Sequence, residues 1–107
     1  VNEKYDVIFC LSVVKWIHLN WGDYGVKALF RKVYQSLEVG GLFILEPQQW
    51  SSYKKRKSIH PSLKENYKKL NMRPEDFLPY LSALGFKLKK TLLQGKEKGF
   101  ERSLGSP

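Results

Sequence analysis

The chain has 107 residues, 42 % hydrophobic and 14 % aromatic, with a formal charge of +9 from 19 Lys and Arg against 10 Asp and Glu. That hydrophobic share excludes a disordered chain, and the charge favours a polyanionic partner, either nucleic acid or an acidic membrane surface. A single cysteine, Cys10, excludes a disulfide framework or a cysteine-based zinc site within the chain.

Cysteine usage leads to the expectation of a reducing, intracellular compartment. Apolar stretches fall far short of the roughly 20 residues of a membrane span, so no membrane partner is expected. The start, Val-Asn-Glu-Lys, has neither a signal-peptide layout nor an initiator Met, which suggests a fragment.

Residues 5–13 (YDVIFCLSV) form a nearly continuous apolar run, read as a strand buried on both faces of a parallel sheet. Residues 15–22 are expected to form a loop or short turn. Asp23 is placed to cap a helix over about 24–38, where Val26, Leu29, Phe30, Val33 and Leu37 share one face. Gly40 and Gly41 are expected to end that helix, and Leu42-Phe43-Ile44-Leu45 to form a second buried strand closed by Glu46-Pro47. Strand, helix, strand makes a βαβ unit with parallel strands. Ligands of open α/β sheets bind at the carboxyl ends of the strands, which puts the functional edge near 10–12 and 46–49.

Residues 48–60 are polar, aromatic and basic and read as a loop. Short helices follow over about 61–70, opening at Pro61, and 74–84, opening at Pro74. Phe77, Leu78, Leu81 and Leu84 form the apolar stripe of the latter, Pro79 kinks it or delays its start, and Gly85 ends it. Residues 86–93 alternate as a half-exposed strand, and the tail from Gln94 has little periodicity.

Two constellations carry chemistry. Behind the first strand, Lys15, Trp16, His18, Asn20 and Trp21 crowd one segment, with residue types suited to stacking and phosphate contact. Lys15 and His18 read as functional there, Leu19 and Trp21 as packing. Behind the second, Gln48, Trp50 and Tyr53 precede Lys54-Lys55-Arg56-Lys57. Over 53–69 seven cations face one acid, Glu65, with Tyr53 and Tyr67 among them. Bases stack on such rings while the cations neutralise phosphates, although a solvated helix face has the same composition. No metal site is expected, because His18 has no ligand-spaced partner. There is no GxGxxG or Walker loop and no catalytic triad spacing around Ser12.

Residues 10–23 (CLSVVKWIHLNWGD), with 45–53 (LEPQQWSSY) and Lys98-Gly99-Phe100-Glu101-Arg102, resemble the Bin3 family. The resemblance runs to about Arg102. It implies an α/β fold, the C-terminal half of a class I, Rossmann-like methyltransferase domain with a mostly parallel sheet and flanking helices, so that 1–107 is a partial domain. It further implies methyl transfer from S-adenosylmethionine to the γ-phosphate of an RNA 5′ triphosphate, a nuclear location, and a small nuclear RNA as partner, with room for an RNA-binding protein. By position, Cys10, Leu11 and Ser12 would line the cofactor site. Lys15 and His18 would be catalytic. Lys15, Trp16, Gln48, Trp50, Tyr53, Lys54, Lys55, Arg56 and Lys57 would meet the RNA. The family's glycine-rich cofactor loop has no counterpart in these residues, Gln49 stands where the family often has proline, and the last strand, expected after Arg102, looks cut off or replaced. A non-catalytic RNA- or protein-binding module is the alternative, and a methyltransferase with a small-molecule or protein substrate a weaker one.

Overall fold

A computed structural model describes residues 3–57, 59–92 and 97–103. The chain runs β1 (Tyr5–Leu11), α1 (Val14–Ser36), β2 (Leu37–Glu46), α2 (Trp50–Arg56), α3 (Pro61–Lys69), a 3₁₀ turn (Pro74–Asp76), α4 (Phe77–Leu84), β3 (Phe86–Leu92) and β4 (Glu97–Arg102). The four strands form one sheet in the order β1-β2-β4-β3.

β1 and β2 are parallel, with Ile8 beside Phe43 and Leu11 beside Glu46. The expectation of a mostly parallel sheet needs correction, because β4 runs antiparallel to both β2 and β3. Only four residues separate Leu92 from Glu97, and a connection that short joins antiparallel neighbours only. β4 is itself a correction. Residues 97–102 have weak periodicity because Gly99, opposite Ile44 on the face away from the helices, gives no apolar signal, yet they form an inner strand that buries Phe100. The further strand expected after Arg102 lies outside the described residues.

One face of the sheet meets α1 and α4. Phe43, Leu45, Phe86 and Phe100 pack there with Val26, Phe30, Val33, Phe77 and Leu81. The α1 residues are those of the expected apolar face, at i, i+4 and i+7 spacing. The strand over 5–11 is not buried on both faces. It is an outer strand, and Tyr5, Val7, Phe9 and Leu11 on the side away from α1 are exposed, Phe9 to 66 %. A continuous apolar run states that both faces are hydrophobic, not that both are covered.

Helix α1 starts about ten residues before the expected start, so residues 15–21 are helical rather than a loop. Val14 and His18 lie four apart on one buried face, with Leu19 beside them. The helix bends at Gly22, whose φ of 72° and ψ of −168° are non-helical and cheap only for glycine. At the far end α1 stops at Ser36. Gly40 and Gly41 lie inside β2, which is longer than expected, so they do not cap the helix. Gly40 takes φ +86° close to a register shift in the β1–β2 ladder. The N-terminal proline of α3 and the delayed start of α4 follow the sequence: Pro79 falls in the first turn of α4, where its missing N–H costs nothing. Leu78 is the one member of the expected α4 stripe that is exposed.

Residues 48–60 are not one loop. Trp50–Arg56 is helical, and Lys54, Lys55 and Arg56 fall in its last turn, where they complement the carbonyl end of the helix dipole. Tyr53 packs with Leu19 and Leu63 in a second, smaller cluster flanked by Trp50, Tyr67 and Leu70. Of the expected strand 86–93, Leu93 lies outside the described residues.

Candidate functional site

Parallel pairing of β1 and β2 sends both trailing segments out at one edge of the sheet. There they enclose a cleft of about 520 Å³ lined by Ser12, Lys15, Glu46, Pro47, Gln48, Gln49, Ser52 and Lys98. Ser12 stands at the turn from β1 into α1 with φ +61°, a left-handed conformation that is strained for a residue with a Cβ. Its Oγ donates to Glu46 Oε1 at 2.6 Å. Three residues on, the backbone N–H of Lys15 donates to Gln48 Oε1 at 3.2 Å. Two cross-links of this kind tie the ends of neighbouring strands together and define the floor of the cleft.

Cations gather at its rim. The Lys15 Nζ lies 5.7 Å from the centre of the Trp16 ring, and the Arg56 guanidinium carbon 5.9 Å from the same ring. Both distances fall within cation–π range. Burial lowers the Lys15 pKa, and the neighbouring charges of Arg56 and Lys55 lower it further. Like charges crowded in this way favour an anion between them. β4 contributes Lys98 from the other side, a residue that the sequence reading did not single out. Its signal was weak, because a lysine on an unrecognised strand carries no address.

Several expected site residues lie elsewhere. Cys10 is buried in the main core, and burial pushes its thiol up to about 11, so it is a neutral packing group and does not line the edge. Leu11 and Ser12 do reach the edge, Leu11 on the open face of the sheet and Ser12 in the cleft. His18 is fully buried and does not face an RNA end. Its Nδ1 lies 2.8 Å from Tyr53 Oη and its Nε2 2.8 Å from Asp23 Oδ1. Asp23 is not a helix cap: its second oxygen accepts from the backbone N–H groups of Asn71 and Met72 at 2.9 and 3.1 Å.

The protonation of this trio follows from donor arithmetic. Burial lowers the His18 pKa, and Asp23 only partly opposes that. Burial raises the Asp23 pKa, but the His18 hydrogen bond and the two backbone N–H groups outweigh it and hold the carboxyl below its ordinary range. Neutral His18 therefore carries its proton on Nε2, donates to the carboxylate, and accepts from the Tyr53 hydroxyl. Burial, and after it the Asp23 charge, raises the Tyr53 pKa.

The rings of the second constellation pack on one another. Trp50 stacks on Tyr67 at 4.9 Å and 19° and lies 4.9 Å from Tyr53, with the Arg73 guanidinium also 4.9 Å from its centre. Tyr53 is fully buried, so it forms no substrate mouth, and Trp50 is a partly covered member of the small cluster. Lys57 sits over Tyr67 at 4.4 Å, whereas Lys54, Lys55 and Arg56 are exposed. Gln48 is at the cleft, as expected. Of the two residues read as packing, Leu19 is buried, whereas Trp21 is 68 % exposed. Among the described residues no three His, Cys, Asp or Glu side chains gather as a metal site, and no helix is long and apolar enough to cross a membrane.

Residues 5–106 match the Bin3 (Bicoid-interacting protein 3) family. The chain is 45 % identical over 105 residues to the human 7SK snRNA methylphosphate capping enzyme, covering 94 % of this chain and 15 % of that protein. It is 49 % identical over 80 residues to the U6 snRNA methylphosphate capping enzyme Amus of Drosophila melanogaster, covering 75 % of this chain and 27 % of that one. A rat RNA 5′-monophosphate methyltransferase is 38 % identical over 53 residues, half of this chain and 18 % of the relative. The chain thus spans less than a third of the length of each of these proteins.

Proposed function

The chain belongs to the Bin3 family, whose relatives here are named as RNA methyltransferases, and on that footing we propose that it forms the acceptor side of an RNA 5′-end methyltransferase that methylates the γ-phosphate of a triphosphate end. The observation that carries this reading is the cleft. Two parallel strand ends converge on a strained Ser12, Lys15 and Lys98 line the cleft, and the charges of Arg56 and Lys55 lie close enough to Lys15 to lower its pKa.

A phosphate oxygen is already anionic, so its methylation needs alignment and charge management more than proton transfer. Lys15 is the group for the terminal phosphate. Lys98 approaches from β4, and the Gln48 amide, whose oxygen is held by the Lys15 N–H, offers its NH₂ to a phosphate oxygen. Arg56, Lys54, Lys55 and Trp16 continue the positive, partly aromatic surface that an RNA chain leaving the cleft would follow. Among the residues first assigned to a cofactor, Ser12 and Leu11 remain, joined by Glu46. They fit S-adenosylmethionine in kind, because a carboxylate accepts from an ammonium or a ribose hydroxyl and Leu11 offers apolar surface to a base. Bound there, S-adenosylmethionine would supply a methyl group on a sulfonium. A small nuclear RNA as substrate and a nuclear location are parts of the same proposal.

The test is methyl transfer by the complete protein to one RNA sequence carrying a 5′ triphosphate, a 5′ monophosphate or a 5′ hydroxyl. The expected order is triphosphate first, with no transfer to the hydroxyl end. Preference for the monophosphate would replace the γ-phosphate with the acceptor named for the rat relative. Tight RNA binding with no transfer to any end would favour the binding-module reading.

A further inference from the structure

Buried His18 and Tyr53 and the partly buried Asp23 lie outside the lining of the cleft, and four segments meet on this trio. His18 belongs to the part of α1 before the Gly22 bend, the same turn and a half that carries Lys15 and Trp16. Asp23 belongs to the part after the bend. Tyr53 belongs to α2, next in sequence to the cations Lys54, Lys55 and Arg56. Asn71 and Met72 follow α3. The rings pack as well: His18 meets Tyr53 edge-on at 5.3 Å and Phe77 at 5.9 Å. A second brace comes from α3, where Asn66 Nδ2 donates to the carbonyls of Leu19 and Asn20, in the turn that the bend interrupts, at 2.9 and 3.3 Å.

Helix packing alone leaves a bend at glycine loose, because a glycine hinge has several accessible conformations. Here each hydrogen bond constrains a different relation. The Asp23–His18 bond fixes the two halves of α1 against each other. The His18–Tyr53 bond fixes the first half against α2. The Asp23 bonds to Asn71 and Met72 fix the bend against the connection to α4. Every polar atom of the trio is used, so the network has one low-energy arrangement, and a partly satisfied buried network would be costly.

We infer that Asp23, His18 and Tyr53 are positioning residues that hold the first half of α1 against α2 and against the helix beyond its bend, and so set the spacing of Lys15 on α1 from Arg56 on α2, around an RNA 5′ end. This rests on the cleft's proposed role. It replaces a chemical role for His18 with a geometric one, and it adds Asp23, which sits between the two halves of the helix. The two cations sit on the two helices that the His18–Tyr53 bond joins, and both reach the Trp16 ring. Loosening the joint separates them without removing either charge.

The experiment compares Tyr53→Phe and Asp23→Asn with Lys15→Ala in the complete protein, measuring kcat and KM for triphosphate-ended RNA together with the melting temperature. Tyr53→Phe keeps the ring and its packing and removes one donor. A core variant, Leu81→Val, chosen for a comparable loss of melting temperature, controls for general destabilisation. The network variants are expected to raise KM for the RNA by about tenfold or more, as small misplacements of binding groups do, with kcat changed less than KM. Leu81→Val is expected to leave KM unchanged. Melting temperatures that fall in all three while KM stays at the wild-type value would overturn the inference and make the trio a folding element. A Lys15→Ala variant with wild-type kinetics would instead overturn the cleft's proposed role, so the two failures are distinguishable. Should Tyr53→Phe or Asp23→Asn not fold, Asn66→Ala perturbs the same bend from α3 and is expected to move KM in the same direction.

Discussion

The two hydrophobic clusters of this chain are built on different rules. The buried side chains of the large one, between the sheet and α1 and α4, are apolar, with rings meeting edge-on or tilted, such as Phe30 with Phe77 at 5.3 Å and Phe43 with Phe86 at 5.7 Å, and cations meet it at half-buried Tyr34 and Tyr80. Its small neighbour, Leu19, Tyr53 and Leu63 with Trp50 and Tyr67, is laced to a buried histidine, a carboxylate and cations over ring faces. Apolar packing tolerates changes of shape that keep volume, whereas a hydrogen-bonded network specifies one geometry. The first cluster holds the sheet whose edge forms the cleft. The second decides where the cations stand along that edge.

The sharpest way to break this division is Phe43→Ala, which removes a fully buried ring from the middle of the large cluster. It should cost about 3–5 kcal/mol and lower the denaturant midpoint steeply. A loss below about 1 kcal/mol would mean that the sheet core is not the stabilising unit. Lys15→Ala should do the reverse. The melting temperature stays close to wild type, and transfer to triphosphate-ended RNA falls by about a hundredfold, the scale of one lost electrostatic contact in a transition state.

Neutralising Lys54, Lys55, Arg56 and Lys57 together should weaken RNA binding and reduce its salt dependence by about 0.7 per lost phosphate contact. The reduction should be smaller than four full contacts, because Lys57 lies against Tyr67. An unchanged slope would return the run to an ordinary solvated helix face. The gentlest effect concerns pH. Folded His18 has a pKa below its ordinary value of 6.5, so between those values the unfolded chain binds more protons and stability falls as pH drops below about 6.5. Thermal melts across that range should show the decline in the wild type and a weaker one in His18→Gln. Equal slopes would show that another group carries the acid sensitivity.

The βαβ unit was legible because β1, α1 and β2 have clear periods, and their parallel pairing follows from a crossover of helical length. Two features of the fold were hidden by tertiary context. The first turns of α1 look like a loop because Trp16, Asn20 and Trp21 are exposed and Lys15 is half-buried, and only Val14, His18 and Leu19 give the buried side. β4 looks like a tail because Gly99 gives no apolar signal. At the site, Lys15, Gln48 and Ser12 were legible from their places after strand ends. The burial of His18 and Tyr53 is not legible, because a polar or amphipathic residue beside a strand end reads the same from sequence whether it faces solvent or a buried partner, and the partner, Asp23, reads as a helix cap.

The most direct test of the account is to photo-cross-link an RNA bearing a reactive group on its 5′-terminal phosphate to the complete protein and to map the attached residues by mass spectrometry. The account predicts attachment at 12–15, 46–52 and Lys98, around the shared end of β1 and β2. Attachment confined to α3, or to the exposed side of β1 around Val7 and Phe9, would contradict it.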